Sequence, residues 1–386
     1  MATALLAKQL ITPLQTIDDA ALLFEDGIIS AAGIRDEVQF SPRTRVIDFG
    51  DAILAPGLID IHIHGAAGHD VMEGDDAGLA AIERHMATHG VTSYCPTTVT
   101  AAIDLTLRSL EALGHALSHP PKNEPTRARP LAIHLEGPFL SHAKRGVHPP
   151  SLLQPASLEL FDKMWQAANG RVGLLTIAPE IEGAVDLIAE ATRRGVVASL
   201  GHSNADLAQA DQGIRAGARH ATHTFNAMRP LDHRNPGLLG AVLTNNELTA
   251  DIIADGIHVA SEVVDLFVRA KGIARAVLIT DSISATGMPD GSYMLGGLQV
   301  EVHDGRCDYQ GRLAGSVLTL DRAVRNTMQF ARLGLQHAIQ MATLNPARVL
   351  RIERRKGSLT AGADADIAVF SPAGEVIRTI VGGVVN

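Results

Sequence analysis

Short apolar runs separated by turn residues open the chain: Leu5 to Ile11, Ala20 to Phe24, Gly27 to Ala32 and Arg45 to Ile47, divided by Thr-Pro, Glu-Asp-Gly and Gly-Asp. Runs of that length between turn formers predict paired strands rather than helices. The end of the chain repeats the pattern in Gly357-Ser-Leu-Thr-Ala-Gly, Asp366 to Phe370 and Val376 to Val385. Residues 1–55 and 356–386 are therefore expected to build one small β-sandwich domain from both termini.

Residues 56–355 alternate strand-like and helix-like segments. The strand candidates are Leu58 to His64, Val91 to Thr98, Leu131 to Glu136, Val172 to Ala178, Val196 to His202, His220 to His223, Leu248 to Ala254 and Ala276 to Asp281. Amphipathic stretches lie between them, including Gly78 to His89, Ser157 to Ala168, Ala184 to Arg194 and Ala205 to Ala216. Strand–helix units in that number predict an α/β fold closed as a (β/α)8 TIM barrel. A doubly wound open sheet is the alternative, but no Gly-X-Gly-X-X-Gly follows the first strand. Tyr293 to Gln310 reads as a hairpin inserted after the eighth strand, overhanging the barrel mouth, and Pro120 to Pro130 as a Pro-rich loop.

The polar residues that end these strands carry the chemistry. Within Ala55-Pro-Gly-Leu-Ile-Asp-Ile-His-Ile-His-Gly65, His62 and His64 sit two apart, so a strand points both imidazoles to one side. Alone, such a pair is more commonly a hydrogen-bonded strand end. Later strands, however, end in Glu136, His202, His223 and Asp281. The active face of a (β/α)8 barrel is formed by the C-terminal ends of its strands, so four imidazoles and two carboxylates are expected to converge there. That donor set suits one or two divalent ions, zinc first, with iron, manganese or cobalt as alternatives. The chain has 17 histidines; His85, His89, His115 and His119 are expected to be surface or hydrogen-bonded core residues.

Composition narrows the partners. A formal net charge of -9 without a Lys/Arg run argues against nucleic acid. Cys95 and Cys307 form no Cys-X-X-Cys motif and no disulfide framework, which points to a reducing, cytoplasmic setting. The N-terminus lacks the basic region of a signal peptide, and no apolar stretch is long enough for a membrane span.

His-Leu-Glu-Gly-Pro-Phe (134–139), Gly-His-Ser-Asn-Ala (201–205), Thr-His-Thr-Phe-Asn-Ala-Met (222–228), Ala-Asp-Gly-Ile-His (254–258) and Thr-Asp-Ser (280–282) resemble the N-acetylglucosamine-6-phosphate deacetylases of the amidohydrolase superfamily. The resemblance runs from the N-terminal hairpins through Asn345-Pro-Ala to the C-terminal strands. It implies a TIM barrel with a β-sandwich domain, a homodimer, and removal of acetate from an amino-sugar phosphate. It further implies Glu136, His202 and His223 as ligands of the catalytic metal, Asp281 as the proton-transferring group and His148 as the donor to the acetyl carbonyl. His62 and His64 match the subset of relatives able to hold a second ion. Substrate contacts are implied at Val147 and His148, at Asn226, Ala227 and Arg234 for the phosphate, at Asp255, Gly256, Ile257 and His258, and at Leu313, Ala314 and Gly315. Some phosphate contacts are expected from the neighbouring subunit.

The chemistry fits these residue types. A divalent ion lowers the pKa of water, and a carboxylate can take the proton and return it to an amine leaving group. A rival within the superfamily, an enzyme acting on cyclic amides, typically carries a carboxylated lysine on strand four; Val172 to Glu180 contains no Lys. A non-catalytic barrel that keeps a metal for stability would have no use for Asp281.

Overall fold

The structure, a computed structural model, describes residues 2–119 and 127–385. Parallel strands Leu58–Ile63, Val91–Thr98, Ile133–Glu136, Val172–Ile177, Val197–Leu200, His220–Ala221, Ala250–Ile253 and Ala276–Ile279 follow one another around a barrel, and ordinals below refer to this series. Consecutive members pair in parallel from the first to the sixth and from the seventh to the eighth. Sixth and seventh are joined by Ala221 N–H to Thr249 O (3.0 Å) and Thr224 N–H to Asp251 O (2.9 Å). The ring closes through Asp281 N–H to His62 O (2.9 Å) and His64 N–H to Ser282 O (2.8 Å).

Every residue of Val91–Thr98 is buried, as expected for parallel strands covered by helices outside and filled by side chains inside. The interior is not uniformly apolar. Under the site a ladder of hydroxyls runs from Ser199 through Thr222 to Thr176, with Thr176 Oγ1 2.8 Å from both Thr222 Oγ1 and His134 Nε2. Buried polar groups survive there because each finds a partner.

Helix starts are set by side-chain caps that hydropathy alone does not locate. Asp75 accepts from Gly78 N–H at 2.7 Å, so the first outer helix is Asp76–Thr88 and begins before the expected Gly78. Asp206 and Gln209 form a capping box, which moves the start expected at Ala205 to Leu207.

The two termini share one seven-stranded sheet. Its central strand Thr3–Ile11 pairs with Thr16–Glu25 on one side and with Arg45–Asp48 and Ile53–Pro56 on the other. Ile53–Pro56 in turn pairs with Ile367–Phe370, and that strand with Val376–Ile380. Leu5, Leu10, Leu22, Phe24, Leu54 and Ile367 form an apolar core of their own, separate from the barrel's. Ala55 and Pro56 thus belong to this sheet, one residue beyond the 1–55 expected for the terminal domain. The chain crosses to the barrel at Gly57, where a Cβ would lie 2.2 Å from Thr92 Oγ1.

The insertion after the eighth strand is a four-stranded meander, Gly291–Leu295, Leu298–His303, Arg306–Tyr309 and Arg312–Leu313, where a single hairpin was expected. Of the two further turns, the one at Gln310-Gly311 is held by Asp308, whose carboxylate accepts from Gly311 N–H at 2.7 Å. Of the Pro-rich loop at 120–130, residues 120–126 lie outside the described part. Among the described residues no helix is long and apolar enough to cross a membrane.

Asp321 ties the first outer helix to Leu320–Ala331. It receives hydrogen bonds from His89 Nδ1 (3.1 Å) and Arg325 Nη1 (2.8 Å). Burial would raise its pKa, but bonds from His89 and Thr319 and the nearby positive charge hold it well below the usual carboxylate range. A depressed folded-state pKa contributes stability that is complete above the unfolded value near 4 and is lost as pH falls below it. Asp321→Asn is expected to cost about 1–3 kcal/mol at pH 7. Denaturant melts should show that gap narrowing toward pH 3, and a constant gap would contradict the assignment.

Candidate metal centre and active site

Barrel strands one, three, five, six and eight each deliver a polar side chain to the same end of the barrel. His62 Nε2 and His64 Nε2 lie 3.1 Å apart, as a shared strand face requires. Three of the converging residues, His202, His223 and Asp281, have positive φ (46°, 29° and 51°). Non-glycine residues reach that region at an energetic cost and are held there by their surroundings. For His223 the holding group is buried Asp251, whose carboxylate accepts the His223 backbone N–H and bonds His220 Nε2 at 2.9 Å.

Glu136 is the hub. Its Oε1 lies 2.9 Å from His223 Nε2, 3.1 Å from His202 Nε2 and 3.6 Å from His62 Nε2. Its Oε2 lies 3.3 Å from His64 Nε2 and 3.7 Å from His148 Nε2. Asp281 Oδ1 sits 3.1 Å from His64 Nε2 and 3.4 Å from His62 Nε2. His62, His64 and Asp281 form one ligand-type cluster, and Glu136, His148 and His202 a second. Two further clusters, His69 with Glu73 and Asp75, and Asp290 with His303 and Asp304, are largely exposed.

The histidine tautomers follow from fixed partners. His64 Nδ1 donates to Thr97 O (3.0 Å) and His202 Nδ1 to Lys144 O (3.0 Å), because a carbonyl only accepts. In the neutral ring each therefore turns an Nε2 lone pair to the centre, the arrangement typical of imidazole ligands with an ordering outer partner. His148 is opposite. Its Nδ1 accepts from Thr100 N–H at 3.2 Å, with Thr100 Oγ1 at 2.8 Å, so the neutral ring carries its proton on Nε2 and is a donor into the site.

Electrostatics favours a cation at the hub. Burial would raise Glu136, yet the imidazoles of His62, His202 and His223 hold it well below the usual range. Asp281 is likewise carried against burial to about 2 by His62 and His64. Burial would lower His223, but Glu136, Asp281 and Asp251 raise it to about 9. His148, buried and next to His202, is pushed down to about 3. Two ionised carboxylates among imidazoles whose lone pairs point inward fit one or two divalent ions of the zinc or iron type. Among the described residues, the buried Nδ1 atoms of His62 and His223 have no hydrogen-bond partner.

His64, Glu136, His202, His223 and Asp281 border a cavity of about 190 Å³ whose wall also includes Val147, His148, Asn226, Ala227, His258, Leu313 and Gly315. The remaining expected contacts do not line it. Asp255 bonds His258 Nδ1 at 2.7 Å and, with Ile257, borders a separate cavity. Gly256 faces Phe330, and Ala314 is buried behind the wall. Arg234 is exposed on its loop and does not line the cavity within one chain. Sequence reading overlooked Val99, Leu295, Thr100 and Asp251. Thr100 sits just past a strand end, the signal used for the ligands, while Val99 and Leu295 are unremarkable apolar residues.

A closed (β/α)8 barrel with a carboxylate-bridged cluster of histidines at its mouth defines the class of metal-dependent hydrolases. The amidohydrolase family model matches residues 53–385. An N-acetylglucosamine-6-phosphate deacetylase of Bacillus subtilis is 36% identical over 99% of this chain and 97% of its own. One of Bos taurus is 38% identical over 94% and 91%. The structure of a mutant N-acetyl-D-glucosamine-6-phosphate deacetylase from Mycobacterium smegmatis, in complex with N-acetyl-D-glucosamine-6-phosphate, superposes with a TM-score of 0.92 at 32% identity, covering 99% and 98% of the two chains. The chain is an enzyme of the amidohydrolase family and belongs to its N-acetylglucosamine-6-phosphate deacetylases.

Removing a hub imidazole leaves the buried Glu136 carboxylate short of a partner. His202→Ala and His223→Ala should each lose bound metal, measured by elemental analysis of the purified protein, together with activity. Retention of full metal content by both would remove Glu136, His202 and His223 as the ligand set.

Proposed function

We propose that the protein hydrolyses the N-acetyl group of N-acetylglucosamine 6-phosphate, giving glucosamine 6-phosphate and acetate. The observation that carries this reading is the convergence of Glu136, His202, His223 and Asp281 with a proton-bearing His148 Nε2 on one cavity. Relatives of that name and near-equal length support the substrate.

Glu136, His202 and His223 would hold the catalytic ion, and His62 with His64 would permit a second. Bound there, a divalent ion supplies a lowered water pKa and polarisation of the amide carbonyl. Asp281 takes the proton of the attacking water and returns it to the sugar nitrogen as the C–N bond breaks. Its carboxylate is ionised and lies 3.1 Å from His64 Nε2, at the edge of the hub. His148 donates its Nε2 proton as a hydrogen bond to the carbonyl oxygen, where negative charge develops. Asn226 and Ala227 after strand six, with His258 after strand seven, face the sugar phosphate. Arg234, exposed on its loop, would reach the phosphate of a neighbouring subunit in a homodimer, and a guanidinium fork suits that dianion. Residues 56–355 would form the catalytic unit, zinc is the first expectation for the metal, and the cytoplasm is the expected compartment.

The test is acetate release from N-acetylglucosamine 6-phosphate with metal measured on the same sample. Hydrolysis of a cyclic amide such as dihydroorotate, without acetate, would replace this reading. Asp281→Asn should keep the fold and at least one metal while kcat falls by about 10²–10⁴; unchanged turnover would remove Asp281 from proton transfer. The double variant His62→Gln, His64→Asn should lower metal stoichiometry and leave measurable deacetylation. Complete inactivity with the first ion still bound would give the pair an essential role instead.

A further inference from the structure

The cavity has one wall that the proposed chemistry does not use. Val99, just past strand two, and Leu295, from the meander after strand eight, both line it. In a barrel of eight strands the second stands across from the sixth, so Val99 faces Asn226 and Ala227 from the opposite side. Val99 also adjoins Thr100, which holds His148. This apolar wall therefore stands at the His148 side of the centre and away from the side given to the sugar phosphate.

An amide carbon placed at the centre has two substituents, the sugar nitrogen and the acyl carbon chain. With the sugar directed toward strands six and seven, the acyl chain is directed toward strand two. We propose that Val99 and Leu295 form the acyl subsite and limit the enzyme to short acyl groups, an inference that rests on the deacetylase reading above.

The wall is built to stay small. Val99 and Leu295 are 7% and 2% exposed. Gly296 N–H donates to buried Asp70 Oδ2 at 2.7 Å, and Ser284 Oγ donates to Met294 O at 2.5 Å, so the meander tip is fastened on both sides of Leu295. Gly296 adopts φ +55°, and a Cβ there would stand 1.9 Å from Val99 Cγ2. Glycine lets the meander backbone close directly onto Val99. Asp70 also accepts from Met72 N–H at 2.8 Å, and Met72 Sδ receives Val99 N–H at 3.3 Å, so one small network holds both residues. A methyl group fits a rigid apolar wall of this kind. A longer chain requires the meander to lift.

The experiment compares kcat/KM for the N-acetyl and N-butyryl derivatives of glucosamine 6-phosphate, with metal per subunit measured on every sample. Wild type should prefer acetyl. Val99→Ala and Leu295→Ala should each shift the butyryl-to-acetyl ratio upward by about 10-fold or more, since a methylene in an apolar pocket changes discrimination by about 10–200-fold. Val99→Ile, which narrows the wall without opening a void, should weaken acetyl relative to the N-formyl derivative. An unchanged ratio in both truncations, or an equal fall for every acyl chain at normal metal content, overturns the assignment. Failure of wild type to release acetate at all would overturn the deacetylase reading and this subsite with it.

Discussion

One buried carboxylate governs the architecture of the site. Glu136 is removed from water and surrounded by the Nε2 atoms of His62, His64, His202 and His223. An ionised group in that position is tolerable only with positive charge and directed donors close by. The barrel meets the requirement by placing the ends of strands one, three, five and six within reach of a single point. Protons on the imidazoles or divalent ions can supply the charge. The inward lone pairs of His64 and His202, enforced by carbonyls on their far sides, favour the ions.

The same constraint explains where local backbone preferences are overridden. His202, His223 and Asp281 adopt left-handed conformations just past their strands, because a continued strand would not bring their side chains to the hub. Compensation comes from longer-range bonds: Asp251 to the His223 amide, Lys144 O to His202, and strand closure through Asp281 N–H. Below them the hydroxyl ladder of Ser199, Thr222 and Thr176 ends at His134, whose ring lies 4.6 Å from that of His62. The floor of the site is therefore polar and rigid, while the mouth is shaped by the inserted meander and by loops after strands two, three, six and seven.

Around this frame, side chains of similar type divide by tautomer and wall. His148 resembles the other histidines in burial, but the Thr100 amide reverses its hydrogen-bonding sense and makes it a donor. Leu313 and Leu295 lie on the same meander and border the same cavity, and only Leu295 is fastened beside Val99 through Gly296 and Asp70. The terminal sheet, with its separate core, contributes no residue to this cavity wall.

The sequence by itself determined the alternation that makes a barrel, the shared strand face of His62 and His64, and the series of metal-ligand residue types at later strand ends. These features are local: periodicity of two along a strand, turn residues between elements, and motifs only a few residues long. Helix starts were displaced because a cap such as Asp75 acts through a hydrogen bond that hydropathy does not register. Ile53–Pro56 pairs with Ile367–Phe370, a partner remote in the chain that no local pattern identifies. Only the tertiary structure decided which imidazole nitrogens face the hub, that Thr100 sets the sense of His148, and that Val99 meets Leu295. Each of those outcomes depends on atoms brought together from distant strands, and no local pattern of hydrophobic and polar residues encodes a tautomer or an opposing wall.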